Sequence, residues 1–279
     1  MFDTEGFRMF LGCVALNEFK GANDIAIFLD SEFKRIRASP RYRHIRFPLP
    51  WPEPGVVDEL VQKADGQFIF ATTVVKFIDD EYSSPCKQLE RVLGSVSSRD
   101  PVVVSPYHDL DLLYHQVLAS NPQYGKVLEI LRAIVSSRHH NGYNCRYTPH
   151  IIGLIVTPAI IEELLELEDG EVITNLRGMH SVLHIGGPQE PLYILHASFS
   201  EFLTDEHRAQ NFYIGGIDMQ RAFLASCFAQ VIKRYAFLDH GSNNTLHPAQ
   251  KQVLDHAWQW WGGDVWTPDS DYWRALKLE

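Results

Sequence analysis

Hydrophobic residues recur along most of this chain at the spacing of amphipathic helices. Between residues 108 and 135 the apolar positions lie three and four apart, which places them on one face of an α-helix. They are Leu110, Leu113, Tyr114, Val117 and Leu118, then Val127, Ile130, Leu131, Ile134 and Val135. An earlier helix is expected to begin at Asn23 or Asp24 and to end before Pro40, with an inward face made of Ile25, Phe28, Leu29, Phe33 and Ile36. The pattern predicts a mainly α protein.

The segment 47–54 alternates prolines with other residues, a composition that favours an extended polyproline conformation. We interpret it as a stiff connector and first domain boundary, with Trp51 packed under the helices that follow. Three short helices are predicted next, at about 55–64, 67–79 and 85–94. The second is apolar nearly all round, so it should be central to a small helical domain. Residues 95–104 are predicted to form a second linker.

The order of elements changes after this linker. Four helical stretches precede two β-like runs at 182–185 and 192–195, and the turn-rich residues between the runs predict a β-hairpin. Helices followed by a two-stranded wing are typical of a winged helix. A further helix is expected at 196–204, with Ser198 and Glu201 forming a capping box. Two more helices are predicted in the tail, from about 218 to 279.

Composition and charge narrow the possible classes. The 279 residues are 45% hydrophobic, enough for a real core. The longest apolar run, at 68–78, is shorter than the roughly 18 residues of a membrane-spanning helix. The first residues lack the features of a signal peptide, so we expect a cytoplasmic protein with free thiols at its four cysteines. A net charge of −10 disfavours binding to a phosphate backbone.

Four fragments, at 24–36, 60–78, 110–118 and 195–208, carry a resemblance. Together they resemble the C-terminal half of the nucleotide-binding module in fungal NACHT-domain proteins of the STAND NTPase class, over about residues 20–235. The resemblance implies a phosphate-binding core followed by a helical lid and a winged helix. Residues 1–46 would then be the end of that core, 47–104 linker and lid, 105–212 the winged helix, and 213–279 a C-terminal helical segment.

The phosphate-binding loop of that family is missing from this sequence. None of the 18 glycines begins the pattern Gly-x-x-x-x-Gly-Lys-Ser/Thr, whose backbone amides and lysine hold phosphates. Paired acids that would place Mg²⁺ before the lid are missing too. We therefore expect no catalytic residues, no ATP hydrolysis and no cofactor for this chain alone. ADP or ATP is implied only for a complete family protein. The chain is interpreted as a fragment rather than a relative that lost its core.

Two residues are candidates for sensing nucleotide. In related switches a histidine that ends the second winged-helix strand contacts the β-phosphate of ADP, and His196 resembles that residue. A place just before a helix N-terminus suits an anion. The alternative is a packed histidine that bonds neighbouring backbone. Gly66 falls where relatives place a lid turn near the nucleotide, although Phe68 stands where they often have proline.

Other arrangements of polar residues point less clearly to chemistry. His108, Asp111 and His115 share a helical face that could ligate a metal, but no fourth ligand is indicated, so a solvated or core-edge face is favoured. Ser181 and Ser198 lack the surrounding pattern of a hydrolase nucleophile. The acidic run at 162–171 is interpreted as a solvated helix face.

A winged helix raises the question of DNA binding. The predicted helix at about 171–180 would enter the major groove, yet it has no basic stripe. We therefore expect no nucleic-acid, membrane or metal binding. The leading hypothesis is a non-catalytic regulatory segment of a NACHT-type switch, of the kind found in fungal innate-immunity-like signalling. Its partners would be other domains or protomers of a NACHT protein. The alternative is a stand-alone interaction scaffold or decoy that packs against an intact NACHT partner.

Overall fold

The computed structural model describes residues 21–94, 107–140, 156–235 and 246–260. Within these ranges the chain is mainly helical and has one small two-stranded antiparallel sheet, as the pattern predicted. Several predictions lie outside the described residues. These are the first 20 residues of the core remnant, the linker at 95–104, Cys13 and Cys145, and the end of the tail.

Four helices form the first group, here called the lid group. They are α1 (Gly21–Ala38), α2 (Val56–Ala64), α3 (Phe68–Ile78) and α4 (Pro85–Gly94). The three short helices predicted after residue 54 are therefore confirmed. α1 buries the face that the sequence indicated, through Ile25, Leu29, Phe33 and Ile36.

α3 is the central helix of the lid group. It packs against α1, α2 and α4, and also against a helix of the second region. Phe70 and Phe77 are buried on it. The helix is not enclosed at Phe68 in its first turn, which is 43% exposed. The Phe68 ring meets that of Phe28, with centroids 5.0 Å apart.

The proline-rich segment between α1 and α2 folds back onto the lid group. Trp51 is buried, as predicted, and meets Phe33 edge-on with ring centroids 5.3 Å apart. The expected extended conformation is wrong at 49–52, because the chain bends there. The Leu49–Pro50 and Trp51–Pro52 peptide bonds are cis. α1 shares one core with α2 and α3 across this segment. That residues up to 46 end a nucleotide-binding core stays a prediction.

The second region begins with α5 (His108–Ala119), α6 (Tyr124–His140), α7 (Pro158–Leu165) and α8 (Glu171–Asn175). Thr157 caps α7 by accepting a hydrogen bond from the backbone N–H of Ile160. The helix predicted at 171–180 is too long. It ends after five residues, and Gly178 then takes the left-handed conformation, with φ of 81°.

The predicted hairpin is confirmed. Strands β1 (Leu183–His184) and β2 (Tyr193–Ile194) pair antiparallel, with Leu183 opposite Ile194 and His184 opposite Tyr193. The first pair is buried and the second exposed, as alternation along a strand requires.

Among the described residues, four α-helices follow the hairpin: α9 (Ala197–Thr204), α10 (Glu206–Ala209), α11 (Ile217–Tyr235) and α12 (Pro248–Trp260). The two tail helices are therefore confirmed. α11 packs on α6 and α12, and α12 packs on α7. None of the helices in the described ranges is long and apolar enough to cross a membrane.

Candidate functional site

His196 lies between β2 and α9 and is the N-cap of α9. Its Nδ1 accepts hydrogen bonds from the backbone N–H of Ser198 at 3.4 Å and lies 2.8 Å from the Ser198 Oγ. The predicted capping box of Ser198 and Glu201 is therefore wrong. The Ser198 hydroxyl is already bonded to side chains on either side of it, so the histidine satisfies the first amides of the helix instead.

The Ser198 hydroxyl connects His196 to the protein core. Ser198 is buried, and its Oγ lies 2.8 Å from the hydroxyl of Tyr114 on α5. Burial raises the pKa of Tyr114 to about 12, so the phenol keeps its proton at neutral pH. Because the Ser198 amide already points at Nδ1, that nitrogen is an acceptor. Ser198 Oγ then donates to Nδ1, and Tyr114 donates to Ser198.

This bonding pattern fixes the tautomer of His196. A ring nitrogen that accepts two hydrogen bonds carries no proton, so the neutral imidazole has its proton on Nε2. His196 is exposed, and its Nε2–H is a donor suited to a phosphate or carboxylate oxygen. His196 thus has a feature of each alternative considered from the sequence. It bonds neighbouring backbone, as a packed histidine would, and it lies at the surface, as a phosphate sensor would.

Gly66 lies in the turn that joins α2 to α3. Asp65 and Gly66 both have left-handed backbones, with φ of 44° and 76°, a conformation that glycine adopts without strain. A Cβ on Gly66 would meet no atom within 4 Å, so conformation rather than crowding explains the glycine. Its carbonyl oxygen lies beside Gly21 at the start of α1. The structure places Gly66 in the lid group and His196 in the second region.

The sequence raised Asp111 and His115 as possible metal ligands. In the structure, both form hydrogen bonds that connect α5 with α10. Arg208 on α10 donates two hydrogen bonds to the Asp111 carboxylate, at 2.7 and 3.0 Å. The His115 Nε2 donates to the Arg208 carbonyl oxygen at 2.8 Å. His108 is exposed. Among the side chains that the structure describes, no cluster of His, Cys, Asp or Glu could hold a metal ion.

The acidic run after Thr157 is less solvated than the sequence indicated. Glu162 is only 5% exposed and accepts a hydrogen bond from the backbone N–H of Val172 at the start of α8, at 3.1 Å. Burial raises its pKa. Glu163 bonds Arg234 and Tyr235 on α11. The expected solvated face is therefore wrong at these two positions, because α8 and α11 cover them.

Sequence reasoning missed Tyr114 and Arg208 as organising residues. The helical pattern places Tyr114 on an apolar face. A buried tyrosine hydroxyl needs a hydrogen-bond partner, but that partner, Ser198, lies 84 positions away in the sequence. Arg208 pairs with a residue 97 positions away. No local pattern identifies such partners.

In comparisons with known proteins, no family model, no curated protein and no solved structure matches this chain.

Proposed function

We propose that this chain is a non-catalytic regulatory segment of a NACHT-type signal-transducing ATPase of the cytoplasm. Within the lid group, α1 would be the end of the nucleotide-binding core and α2–α4 the helical lid, and α5–α10 with the hairpin would be the winged helix. The four fragments that carry the resemblance lie on α1, on α2–α3, on α5 and on α9–α10. Each therefore coincides with a folded element, in the order that the family has.

The exposed His196 is the observation that carries this proposal. Its Nε2–H is a donor beside the N-terminus of α9, where the helix dipole favours an anion. Ser198 holds the ring by a hydrogen bond, and Tyr114 in turn holds the Ser198 hydroxyl, so the orientation of the ring is set before any ligand arrives. In a complete protein this donor would contact the β-phosphate of ADP held by another domain or protomer.

The physical role follows from that contact. While ADP is bound, the donor would tie the winged helix to the nucleotide-binding core and keep the switch closed. Exchange for ATP would release it, so that lid and winged helix rotate and expose a surface for assembly. This chain would supply the moving parts and no hydrolytic group.

The first test is nucleotide binding by the chain as it is. Without a phosphate-binding loop, we expect a dissociation constant for ADP or ATP above roughly 100 μM, weaker than about 6 kcal/mol. Isothermal titration calorimetry with Mg²⁺ measures it. Micromolar binding would contradict the proposal, because it would require a nucleotide site that the proposal does not contain.

The second test restores a core. We would read the gene upstream of Met1 and, where an in-frame phosphate-binding loop is encoded, express the longer chain. His196→Asn is the informative change, because asparagine keeps an N-cap acceptor but is too short to replace the imidazole donor. We expect unchanged melting and ADP retention weakened by about 1–3 kcal/mol, the contribution of a charge-assisted hydrogen bond.

His180→Ala is the matched control, since His180 is an exposed histidine of the same region. It should leave ADP retention unchanged. Normal retention in His196→Asn would remove the phosphate contact from the proposal. A stop codon upstream of Met1 would instead favour the scaffold or decoy that packs against an intact NACHT partner.

A further inference from the structure

The positive charge of this acidic chain is concentrated in one segment. Between Glu32 and Glu53 the sequence contains six Lys and Arg residues and no Asp or Glu. The rest of the chain then has 19 basic and 35 acidic residues, a net charge of −16. The six cationic residues are all exposed, and they are Lys34, Arg35, Arg37, Arg41, Arg43 and Arg46. The overall charge of −10 therefore does not describe this part of the surface.

Two of the six are paired with carboxylates of the protein. Arg35 lies 2.8 Å from Glu32 and from Asp79, and Arg41 lies 3.8 Å from Asp79. The other four form no ion pair with any residue that the structure describes. These four, here called the basic patch, are Lys34, Arg37, Arg43 and Arg46. Their charge is available to a partner.

The backbone that carries the basic patch is held in place. A 3₁₀ helix (Pro40–Tyr42) follows α1, and the buried Tyr42 donates a hydrogen bond from its hydroxyl to the Oδ1 of Asp79 at 2.9 Å. Arg43 donates from Nε to the Pro40 carbonyl oxygen at 3.0 Å, which positions its guanidinium without neutralising it. The patch is thus preorganised, and preorganisation lowers the entropy cost of binding.

An exposed apolar residue follows the basic patch. Leu49 is 78% exposed, the largest value for a bulky hydrophobic residue within the described ranges. Phe47 and Trp51 on either side of it pack on each other, with ring centroids 4.7 Å apart, and Trp51 packs on Phe33 of α1. The chain therefore returns along the last turns of α1 and brings Leu49 back beside the helix that carries Lys34 and Arg37.

These features distinguish between the anionic partners that a cationic surface can take. A single-stranded nucleic acid needs exposed rings on which its bases stack, but Tyr42 and Trp51 are buried and Phe47 is half-buried. A duplex backbone or an acidic protein segment would use the cations and leave Leu49 in water. A bilayer with anionic headgroups uses both, because the cations meet the headgroups while an apolar side chain enters the acyl boundary.

We propose that the basic patch and Leu49 form a peripheral binding surface for an anionic lipid bilayer. The four cations contact the headgroups, and Leu49 enters the boundary between headgroups and acyl chains. The acidic remainder of the chain is repelled by the same surface, so only this face docks. The contact is reversible, since each cation contributes only about fivefold to the partition coefficient. It is independent of the proposed switch function, because it uses neither His196 nor a nucleotide.

Vesicle flotation of the full chain tests the proposal. Vesicles of phosphatidylcholine with about 30% phosphatidylserine, which carry a negative surface potential, are compared with vesicles of phosphatidylcholine alone. We expect the chain to float with the anionic vesicles at about 50 mM salt and to be released at about 500 mM, because salt screens the attraction. It should not float with the zwitterionic vesicles.

Variants separate the charges from the apolar side chain. Lys34→Gln/Arg46→Gln removes two cations and should weaken binding about 25-fold, or about fivefold for each charge. Lys87→Gln/Lys251→Gln is the matched control, since it changes the net charge equally at exposed lysines outside the patch, and its effect should be less than about twofold.

Leu49→Ser keeps every charge and should weaken binding about tenfold through loss of apolar burial. Its binding should keep the salt dependence of the wild type, whereas Lys34→Gln/Arg46→Gln should have a weaker salt dependence. All five substituted side chains are exposed, so each variant should fold, which thermal melts establish.

The proposal is overturned by any of three results. One is the absence of flotation with the anionic vesicles at low salt. Another is an equal loss in Lys87→Gln/Lys251→Gln, which would indicate a general effect of net charge. The third is unchanged binding in Leu49→Ser, which would indicate a surface for polyanions in general. Fluorescence anisotropy with a labelled DNA duplex would then identify a phosphate-backbone surface.

Discussion

The lid group and the second region use their polar side chains differently. In the lid group, Arg35 pairs with Asp79 at 2.8 Å, but the Arg35 side chain is 51% exposed. In the second region, the side chains of Asp111 and Arg208 are only 12% and 18% exposed. Tyr114 and Ser198 also meet in the buried interior there. Of these two ion pairs, the one in the lid group therefore lies at the rim of its core and the one in the second region lies in the interior.

This difference indicates how each region obtains a unique packing. A group of short amphipathic helices is determined mostly by its apolar faces, and exposed ion pairs at its edge contribute little. The second region also buries polar side chains, among them Asp111 and Ser198. Its buried polar pairs must be matched, since an unpaired partner is costly. The second region should therefore be more sensitive to loss of a single polar atom.

The largest expected effect comes from the lid core. Phe70 on α3 is 3% exposed, so Phe70→Ala leaves a cavity as well as losing apolar burial, and should cost about 3–5 kcal/mol of unfolding free energy. Urea unfolding followed by circular dichroism measures it. Phe68→Ala is the control on the same helix, because Phe68 is 43% exposed, and it should cost clearly less. Equal losses would show that α3 is not packed as described.

The next prediction compares the two regions directly. Asp111→Asn should cost about 2–3 kcal/mol, because the Arg208 guanidinium loses its counter-charge in a largely buried place. Asp79→Asn is the matched change in the lid group. It keeps an acceptor for Tyr42, whose hydroxyl bonds Asp79 at 2.9 Å, and Arg35 can be solvated instead. The loss there should be smaller, as measured by urea unfolding.

A double variant tests whether the cost of Asp111→Asn comes from the unpaired charge of Arg208. If the cost of Asp111→Asn comes from an unpaired charge, replacing both partners with leucine should recover part of the stability. If Asp79→Asn costs as much as Asp111→Asn, or the double variant is the least stable of all, then the contrast between rim and interior is wrong.

The sequence allowed the helices and the hairpin to be predicted because they depend on local patterns. The apolar spacing of Ile25, Leu29, Phe33 and Ile36 specifies the buried face of α1 directly. The end of α8 was missed, because a left-handed glycine such as Gly178 is not distinguished in sequence from one that continues a helix. The bend at 49–52 was missed because it depends on packing of Trp51 against Phe33.

Only part of the candidate site could be predicted from local sequence patterns. His196 could be identified by its place after the second strand and before a helix. Its hydrogen bond to Ser198 joins residues only two positions apart, but the link from Ser198 to Tyr114 spans 84 positions.

The smallest expected effect concerns Glu162, and it appears as a dependence on pH. Burial raises the pKa of Glu162 above its ordinary value of 4.5, so the folded protein keeps this proton at a pH where the unfolded chain has released it. The stability due to this group is present below pH 4.5 and is lost as the pH rises through the raised pKa. Glu162→Gln keeps an acceptor for the Val172 amide but cannot ionise. The variant should therefore gain stability relative to the wild type as the pH rises from 4 to about 7, measured by urea unfolding at each pH.

Glu90→Gln, at an exposed position on α4, should not show this trend. A difference between Glu162→Gln and the wild type that stays constant with pH would show that Glu162 ionises as easily in the folded protein as in the unfolded chain. The prediction that burial of Glu162 disfavours its charged form would then be wrong.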